Sequence, residues 1–316
     1  MPGKVMVTGG AGFIGSHVAE AYVAAGYAVT VVDDLSTGRR EHVPSGATLV
    51  EADIGAPDVR RLLATGGFAI LNHHAAQIDV RVSVSDPARD ARINLLGLLN
   101  LLEGAREGRV GRMVFASSGG VVYGESEALP HAESAPKLPV SPYGVTKLAS
   151  EHYLAAYAQM YGLDAVALRY ANVYGPRQNP HGEAGVVAIF CARVRQGKDL
   201  TVYGDGTQTR DYVHAADVAR ANVAASTCAL APVRSIDSRA FNVGTARETS
   251  VLELARTLIA ASGRAVRIAH APARPGELRR SSVAIGKAAA DLGWKPSMDL
   301  ASGLRRTYEW TAEVMA

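Results

Sequence analysis

The stretch Val7-Thr8-Gly9-Gly10-Ala11-Gly12-Phe13-Ile14-Gly15 constrains this chain more than any other. It joins a short apolar run, Lys4–Val7, to a helical pattern over Ser16–Ala25. Its glycines recur three apart, at Gly9, Gly12 and Gly15. The first permits a tight turn, the second lets backbone approach a ligand, and the third lets helix pack closely on strand. A helix opening there presents free N–H groups and its positive dipole end to phosphates. Three glycines alone can serve any tight turn, so the surroundings must carry the reading. The next apolar run, Ala28–Asp33, ends on a carboxylate. An acid at that place accepts the ribose hydroxyls of NAD and repels a 2′-phosphate. Loop and acid together read as an NAD site. Phe13 and Ile14 lie at the helix start, and Asp34, Ser36, Thr37 and Gly38 follow Asp33 as candidate contacts to the adenosine ribose. Asp53 and Ile54, after a third apolar run, could hold the adenine edge.

The rest of the first half repeats the same alternation. Strands are expected at Lys4–Val7, Ala28–Asp33, Thr48–Glu51, Ala69–His73, Arg112–Ser117 and Asp164–Arg169. Helices are expected at Ser16–Ala25, Pro57–Ala64, Pro87–Arg106 and Ser141–Tyr161. Such alternation argues for an α/β fold, a Rossmann-type doubly wound parallel sheet with helices on both faces. Beyond Tyr170 the pattern loosens. Asn172–Gly185 and Gly204–Arg210 read as loops, and helices follow near Val186–Gln196, Ala215–Ala229 and Ser250–Ser262. The expected division is an NAD-binding domain over 1–171 and a smaller mixed α/β substrate-binding domain over 172–316. Part of about 210–245 is expected to return to the first. With 48% apolar and 20% charged residues, the 316-residue chain can build a sizeable core and is not disordered. The net charge of +3 comes from scattered basic pairs, which argues against nucleic acid as a partner. No apolar run is long enough to span a bilayer, and no signal-like stretch opens the chain, so a cytoplasmic protein is expected. Cys191 and Cys228 show no metal-like spacing. The adjacent His73 and His74 would point to opposite strand faces, so no metal site is expected.

A second constellation carries chemistry. In Tyr143-Gly144-Val145-Thr146-Lys147, tyrosine and lysine stand four apart on one helical face. A tyrosine with its pKa near 10 is a poor base at neutral pH. A neighbouring ammonium and a positive nicotinamide would both favour the phenolate. Bringing that pKa to about 7 takes roughly 4 kcal/mol of differential stabilisation. The chain holds only six lysines, so the pairing is less easily chance. Phe115-Ala116-Ser117-Ser118-Gly119-Gly120-Val121-Val122-Tyr123-Gly124 follows the fifth strand, and a serine there can hydrogen-bond a substrate hydroxyl.

The glycine loop, Asp33, the serine segment and Tyr143/Lys147 together resemble the extended short-chain dehydrogenase/reductase family. The resemblance continues through His73-His74-Ala75-Ala76-Gln77, Asn94, Leu168-Arg169-Tyr170-Ala171-Asn172-Val173-Tyr174-Gly175-Pro176-Arg177, Gly204–His214 and Phe241-Asn242-Val243-Gly244. These segments are similar to the nucleotide-sugar branch of that family, and within it to the UDP-glucose (UDP-galactose) 4-epimerases. The resemblance implies NAD-dependent epimerisation at C4 of a UDP-hexose through a transient 4-keto sugar. It implies Tyr143 as base, Lys147 as its tuning group and ribose contact, and Ser118 or Ser117 at the 4-hydroxyl, with Ser118 preferred. It adds His74, Ala75, Ala76, Gln77, Asn94 and Tyr170 to the cofactor contacts. For the substrate it implies Asn172, Arg210 and Arg274 at the diphosphate and Glu277 at the uridine ribose. Val187 and Phe190 would line the uridine pocket, and Thr201 and Tyr203 would contact the substrate. Dehydratases and decarboxylases of the branch carry an acid in the serine segment, where this chain has Gly119-Gly120. Ser281 falls where members restricted to plain sugars place a tyrosine. UDP-GlcNAc and UDP-GalNAc are therefore expected alongside UDP-Glc and UDP-Gal. Another nucleotide-sugar epimerase or reductase, such as a UDP-glucuronate 4-epimerase with Arg81 facing a C6 carboxylate, and a non-catalytic NAD-binding regulator are the alternatives. The helices Pro87–Arg106 and Ser141–Tyr161 correspond to the family's dimer interface, so a homodimer is expected.

Overall fold

The computed structural model describes residues 2–125, 128–180, 185–273 and 278–314. Its centre is a seven-stranded parallel sheet. Chain order gives β1 (Lys4–Thr8), α1 (Phe13–Ala24), β2 (Ala28–Asp33), β3 (Ala47–Glu51), α2 (Pro57–Thr65) and β4 (Phe68–His73). The short helices α3 (Val80–Ser85) and α4 (Pro87–Ala91) follow, then a π-helical turn (Arg92–Leu96) and α5 (Gly97–Glu107). Next come β5 (Arg112–Ser118), α6 (Gly119–Val122), α7 (Pro142–Tyr161), β6 (Ala165–Tyr170), β7 (Asn172–Tyr174), α8 (Val186–Arg195) and β8 (Leu200–Tyr203). The remainder is β9 (Thr209–Arg210), β10 (Tyr212–His214), α9 (Ala215–Thr227), β11 (Ala240–Val243), β12 (Thr249–Ser250), α10 (Val251–Ser262), β13 (Ile268–Ala271), α11 (Gly286–Asp291) and α12 (Leu300–Val314). The sheet order is β11-β6-β5-β4-β1-β2-β3. The chain therefore winds outward from β1 in both directions, and the order reverses between β1 and β4. Ligands of open α/β sheets bind at the carboxyl ends of the strands beside such a reversal.

Both sheet faces are covered, as near-continuous apolar strands require. Met6, Leu71, Met113 and Phe115 pack on one face beneath Val59 and Leu63 of α2, Leu98 and Leu102 of α5, and Leu154 of α7. Val5, Val7, Val29 and Val31 point the other way, against Val18, Ala19 and Tyr22 of α1. That alternation is the two-residue period of a strand. A third cluster forms away from the sheet, from Tyr174, α8, β8, β10, α10 and α12. Three two-stranded sheets, β7 with β10, β8 with β13, and β9 with β12, organise this second region.

The structure departs from the sequence expectation in four places. The sheet has a seventh strand, β11, which joins the parallel edge of β6 from some seventy residues further along the chain. Its partner helix α9 packs on the β5–β6 face through Val218, Ala221 and Ala225. The expected helix over Pro87–Arg106 is interrupted by the π-helical turn. The first helix begins at Phe13 rather than Ser16, because the glycine loop itself closes its first turn, with Ser16 N donating to Gly12 O at 3.1 Å. The two expected loops carry short strands, β7 and β9, whose partners come from distant segments.

Candidate active site

The cofactor candidates gather at the carboxyl ends of β1 to β6. Gly9 adopts φ +68°, and a Cβ there would stand 2.5 Å from Ala75 N, so only glycine fits between the first and fourth loops. At Gly15 a Cβ would stand 2.1 Å from Gly9 O, so the helix can approach the loop only without one. Gly12 differs: its Cβ position meets only Gly9 O at 3.2 Å, and it opens α1 with no side-chain cap. The first-turn amides of α1 thus face an open side, which fits a pyrophosphate. Asp33 Oδ2 accepts from Ala11 N at 2.9 Å and Oδ1 from Leu35 N at 2.9 Å. The two bonds orient the carboxylate, and each oxygen keeps a lone pair for a ribose hydroxyl. Burial raises its pKa, opposed by those amide bonds. Asp34 accepts from Ser36 N and Oγ, so this pair shapes the turn before Thr37 and Gly38. Asp53 likewise accepts from Gly55 N at 2.7 Å, and Ile54 is buried against Gly97. These residues fit NAD better than its 2′-phosphorylated form, because the anionic Asp33 stands where the phosphate would go.

The fourth loop is built from polar contacts. His73 Nδ1 lies 2.7 Å from Thr8 Oγ1, and the His74 ring stacks on Tyr170 with centroids 6.1 Å apart. Burial pulls His74 down to about 3, so the ring is neutral. Tyr170 is buried, its hydroxyl bonded to Asn222 of α9. Ala75 and Ala76 lead to Gln77, whose backbone N–H donates to Asn94 Oδ1 at 2.9 Å. Asn94 sits in the π-helical turn, and such turns often mark functional sites.

Tyr143 and Lys147 lie on the first turns of α7, which Ser141 caps by accepting from Gly144 N. Lys147 is buried. Its Nζ donates to Ala116 O at 2.8 Å and stands 4.8 Å from the Phe115 ring centroid and 5.8 Å from that of Tyr143. Desolvation lowers its pKa to about 8, while Asp90 and Glu151 pull it upward. Glu151 continues the stripe one turn further along α7. It accepts from Ser117 Oγ at 2.5 Å and from Arg169 Nη2 at 2.6 Å, all three groups buried. Arg169 also reaches Asp237, Tyr123 Oη and Glu133 O. Ser117 is thereby committed inward. Ser118, one position on, is half-buried at the end of β5 and stands at the N-cap position of the four-residue α6 with no side-chain capping bond.

The substrate candidates spread across the second region. Asn172 is exposed at the start of β7, its N–H bonded to Asp211 O at 2.9 Å. Thr201 and Tyr203 share the half-buried face of β8, opposite buried Leu200 and Val202. Arg210 lies in β9 with Nη1 on Thr209 O at 2.7 Å. Val187 and Phe190 of α8 are buried in the second region's core, so they do not form an open wall. Ser281 is buried in a segment that runs beside the end of β5, where Val283 Cγ1 lies 2.9 Å from the Cβ position of Gly119. Asp211 pins that segment, accepting from Thr245 N and Oγ1, Ala246 N and Val283 N. Arg274 and Glu277 fall outside the described residues. Arg81 is paired with Asp79 at 2.9 Å at the start of α3.

Sequence reasoning missed Asp90, Thr146, Glu151, Asp211 and Asp237. Glu151 was within reach, since it extends the four-residue spacing of Tyr143 and Lys147. The others each have a partner far away in sequence: Asp90 with Thr146, Asp211 with Thr245, and Asp237 with Arg169.

Residues 5–244 match the NAD dependent epimerase/dehydratase family. The UDP-glucose 4-epimerase of Mycolicibacterium smegmatis is 44% identical over 312 residues, 97% of this chain and 98% of that protein. The crystal structure of UDP-glucose 4-epimerase from Thermotoga maritima with UDP-glucose superposes with a TM-score of 0.93 at 41% identity, covering 99% and 100% of the two chains. That of the Thermus thermophilus UDP-glucose 4-epimerase complex with NAD gives 0.88 at 44% identity, covering 98% and 99%. An opened glycine loop, an oriented Asp33 and a Tyr/Lys helix at the carboxyl end of one sheet agree with this likeness over the whole length: the chain belongs to the NAD dependent epimerase/dehydratase family.

Proposed function

We propose that this chain interconverts UDP-hexoses by NAD-dependent epimerisation at C4, acting on UDP-Glc and UDP-Gal and also on UDP-GlcNAc and UDP-GalNAc. The observation that carries the reading is the placement of Tyr143 and buried Lys147 on α7 beside the end of β5, at the carboxyl end of the sheet that carries the glycine loop. NAD held there would supply a reversible hydride acceptor for the sugar C4. The Tyr143 phenolate takes the proton of the 4-hydroxyl and gives it back. Lys147 favours that phenolate through its charge and donates to the nicotinamide ribose. Ser118, half-buried where Ser117 is held by Glu151, hydrogen-bonds the 4-hydroxyl. Gly9, Gly12, Phe13, Ile14 and Gly15 cradle the pyrophosphate, and Asp33 holds the adenosine ribose. Asn172, Arg210 and Arg274 hold the diphosphate, since a guanidinium fork suits it.

Gly119 and Gly120 put no carboxylic acid beside Ser118, so eliminating water across C5–C6 lacks its proton donor. Plain epimerisation needs none. The Asp79 partner of Arg81 weighs against a uronate site built on that arginine. Ser281, in the segment against Gly119, leaves room at the sugar C2 that a tyrosine would fill.

The helix pair α5/α7 supports a homodimer. Val145, Tyr153 and Met160 recur seven or eight residues apart along α7 and are exposed, as is Leu96 beside α5. A second copy of this chain covers that stripe. No helix among the described residues is long and apolar enough to cross a membrane. The two free cysteines are in keeping with a cytoplasmic location.

Proton NMR of the purified protein with UDP-Gal and UDP-GalNAc, separately and with no added NAD, tests the reading. C4-epimerised product from both is expected. Product from UDP-Gal alone would sink the Ser281 argument, and product from neither, even with NAD supplied, would sink the epimerase and turn the search to UDP-glucuronate. Ser281→Tyr is expected to lower kcat/KM for UDP-GalNAc relative to UDP-Gal by about tenfold or more. An unchanged ratio would remove Ser281 from the pocket.

A further inference from the structure

Asp90 is a carboxylate on α4 with no exposed surface. Burying an ion is costly unless something compensates. Its Oδ1 accepts from Gln77 Nε2 at 2.8 Å and Asn94 Nδ2 at 3.1 Å. Its Oδ2 faces the Thr146 hydroxyl at 2.8 Å. All three partners are neutral. Arg89 and Arg92, which flank it in sequence, are exposed. The three partners belong to three different parts of the site. Gln77 closes the loop after β4, Asn94 sits in the π-helical turn, and Thr146 lies between Tyr143 and Lys147 on α7. Asn94 also clasps Gln77 in both directions, accepting from Gln77 N and donating to Gln77 O at 3.0 Å. An anion with this many oriented donors fixes the distance between the fourth loop and the Tyr/Lys helix.

Resting on the epimerase reading above, we propose that Asp90 is a positioning residue for the reaction: its buried negative charge, locked by Gln77, Asn94 and Thr146, holds α7 in register with the cofactor loop and keeps Lys147 in its ammonium form. The surroundings of Lys147 allow this. Glu151 on the same helix is already spent on Arg169 of β6, which also holds Asp237. His73 and His74 of β4 are kept neutral by burial and add no charge. Asp79, the N-cap of α3, is paired with Arg81, and Glu103 of α5 with Arg106 three residues on. From β5 the ammonium meets only the Phe115 ring and the Ala116 carbonyl. Among the described residues Asp90 is the anion acting on Lys147 that has no ion pair, and it opposes the desolvation of that ammonium.

The sign of the effect follows. Without the anion, Lys147 gives up its proton at lower pH, so the alkaline limb of activity moves down. The Tyr143 phenolate forms at lower pH as well while Lys147 is charged, so the acid limb moves in the same direction. The test compares NAD-loaded wild type, Asp90→Asn, Thr146→Val and Thr146→Ser. Both limbs of the kcat profile in Asp90→Asn are expected to fall by about half to one pH unit, with the UDP-sugar KM nearly unchanged. Thr146→Val is expected to lower kcat at every pH without moving the limbs, and Thr146→Ser to restore it. A second readout needs no turnover: ultraviolet absorbance of the Tyr143 phenolate, taken as the difference from Tyr143→Phe, is expected to titrate lower in Asp90→Asn. Limbs and phenolate titration unmoved by Asp90→Asn would overturn the proposal, leaving Asp90 a packing residue. Should Asp90→Asn not fold, Thr146→Val with wild-type kcat would overturn it instead. A protein inactive on UDP-sugars but with the absorbance shift intact would sink the epimerase reading and leave this one standing.

Discussion

Lys147 shows how a single side chain trades stability for chemistry. Its ammonium is buried against a ring and one carbonyl, and its pKa falls from 10.5 to about 8. That displacement is worth about 3 kcal/mol against the folded state where the group is charged in both states. The folded pKa is depressed, so the folded protein binds fewer protons than the unfolded one between about pH 8 and the unfolded value. Stability from this group therefore rises with pH across that window. Lys147→Met is expected to raise the midpoint of thermal unfolding at pH 7 while abolishing epimerisation. The gain should shrink at pH 9.5, where wild type no longer carries the full cost. Equal or lower stability of the variant at pH 7 would mean that the ammonium is compensated more fully than its surroundings indicate. The same scale separates Ser117 from Ser118: adjacent strand residues face opposite ways, and the buried Glu151 claims the first.

Among the elements, the β1–α1 turn is the least tolerant. Gly15 exists to let α1 pack against Gly9 O, and a methyl group there has backbone for its neighbour, not a flexible side chain. Gly15→Ala is expected to cost about 1–3 kcal/mol of stability and to weaken retention of NAD, read by the cofactor absorbance that stays with the protein through gel filtration. Full retention would show that the turn relaxes without losing its amide geometry. The glycine loop and the Tyr/Lys helix were legible as elements because their signals are local. Glycine spacing and a four-residue repeat need no tertiary partner. The π-helical turn at Asn94 was not legible. Its sequence, Arg-Ile-Asn-Leu-Leu, is ordinary helix, and the extra residue per turn is set by Asn94 reaching Gln77, Asp90 and Thr146 at once. The strands β7, β9 and β11 were hidden for a related reason. They are two to four residues long, too short for a period, and each is stabilised by a partner far off in sequence.

For the whole molecule, one helix serves two surfaces. α7 turns Tyr143, Thr146 and Lys147 inward and Val145, Tyr153 and Met160 outward. If a second copy covers the outer stripe, Val145→Lys combined with Tyr153→Lys is expected to give a monomer by sedimentation velocity, with wild type sedimenting as a dimer. A monomeric wild type at micromolar concentration would rule the dimer out. The monomeric variant is also expected to lose activity, because the helix bearing Tyr143 and Lys147 would lose packing on one side.

The sequence by itself determined the fold class, the cofactor loop, the acid at Asp33 and the Tyr/Lys pair. Each rests on short-range spacing that chain geometry converts directly into shape. The tertiary structure alone decided which strand closes the sheet, where Ser117 points and what surrounds Lys147. Those outcomes depend on burying charged and polar groups together, and a buried group chooses its partners by distance in space.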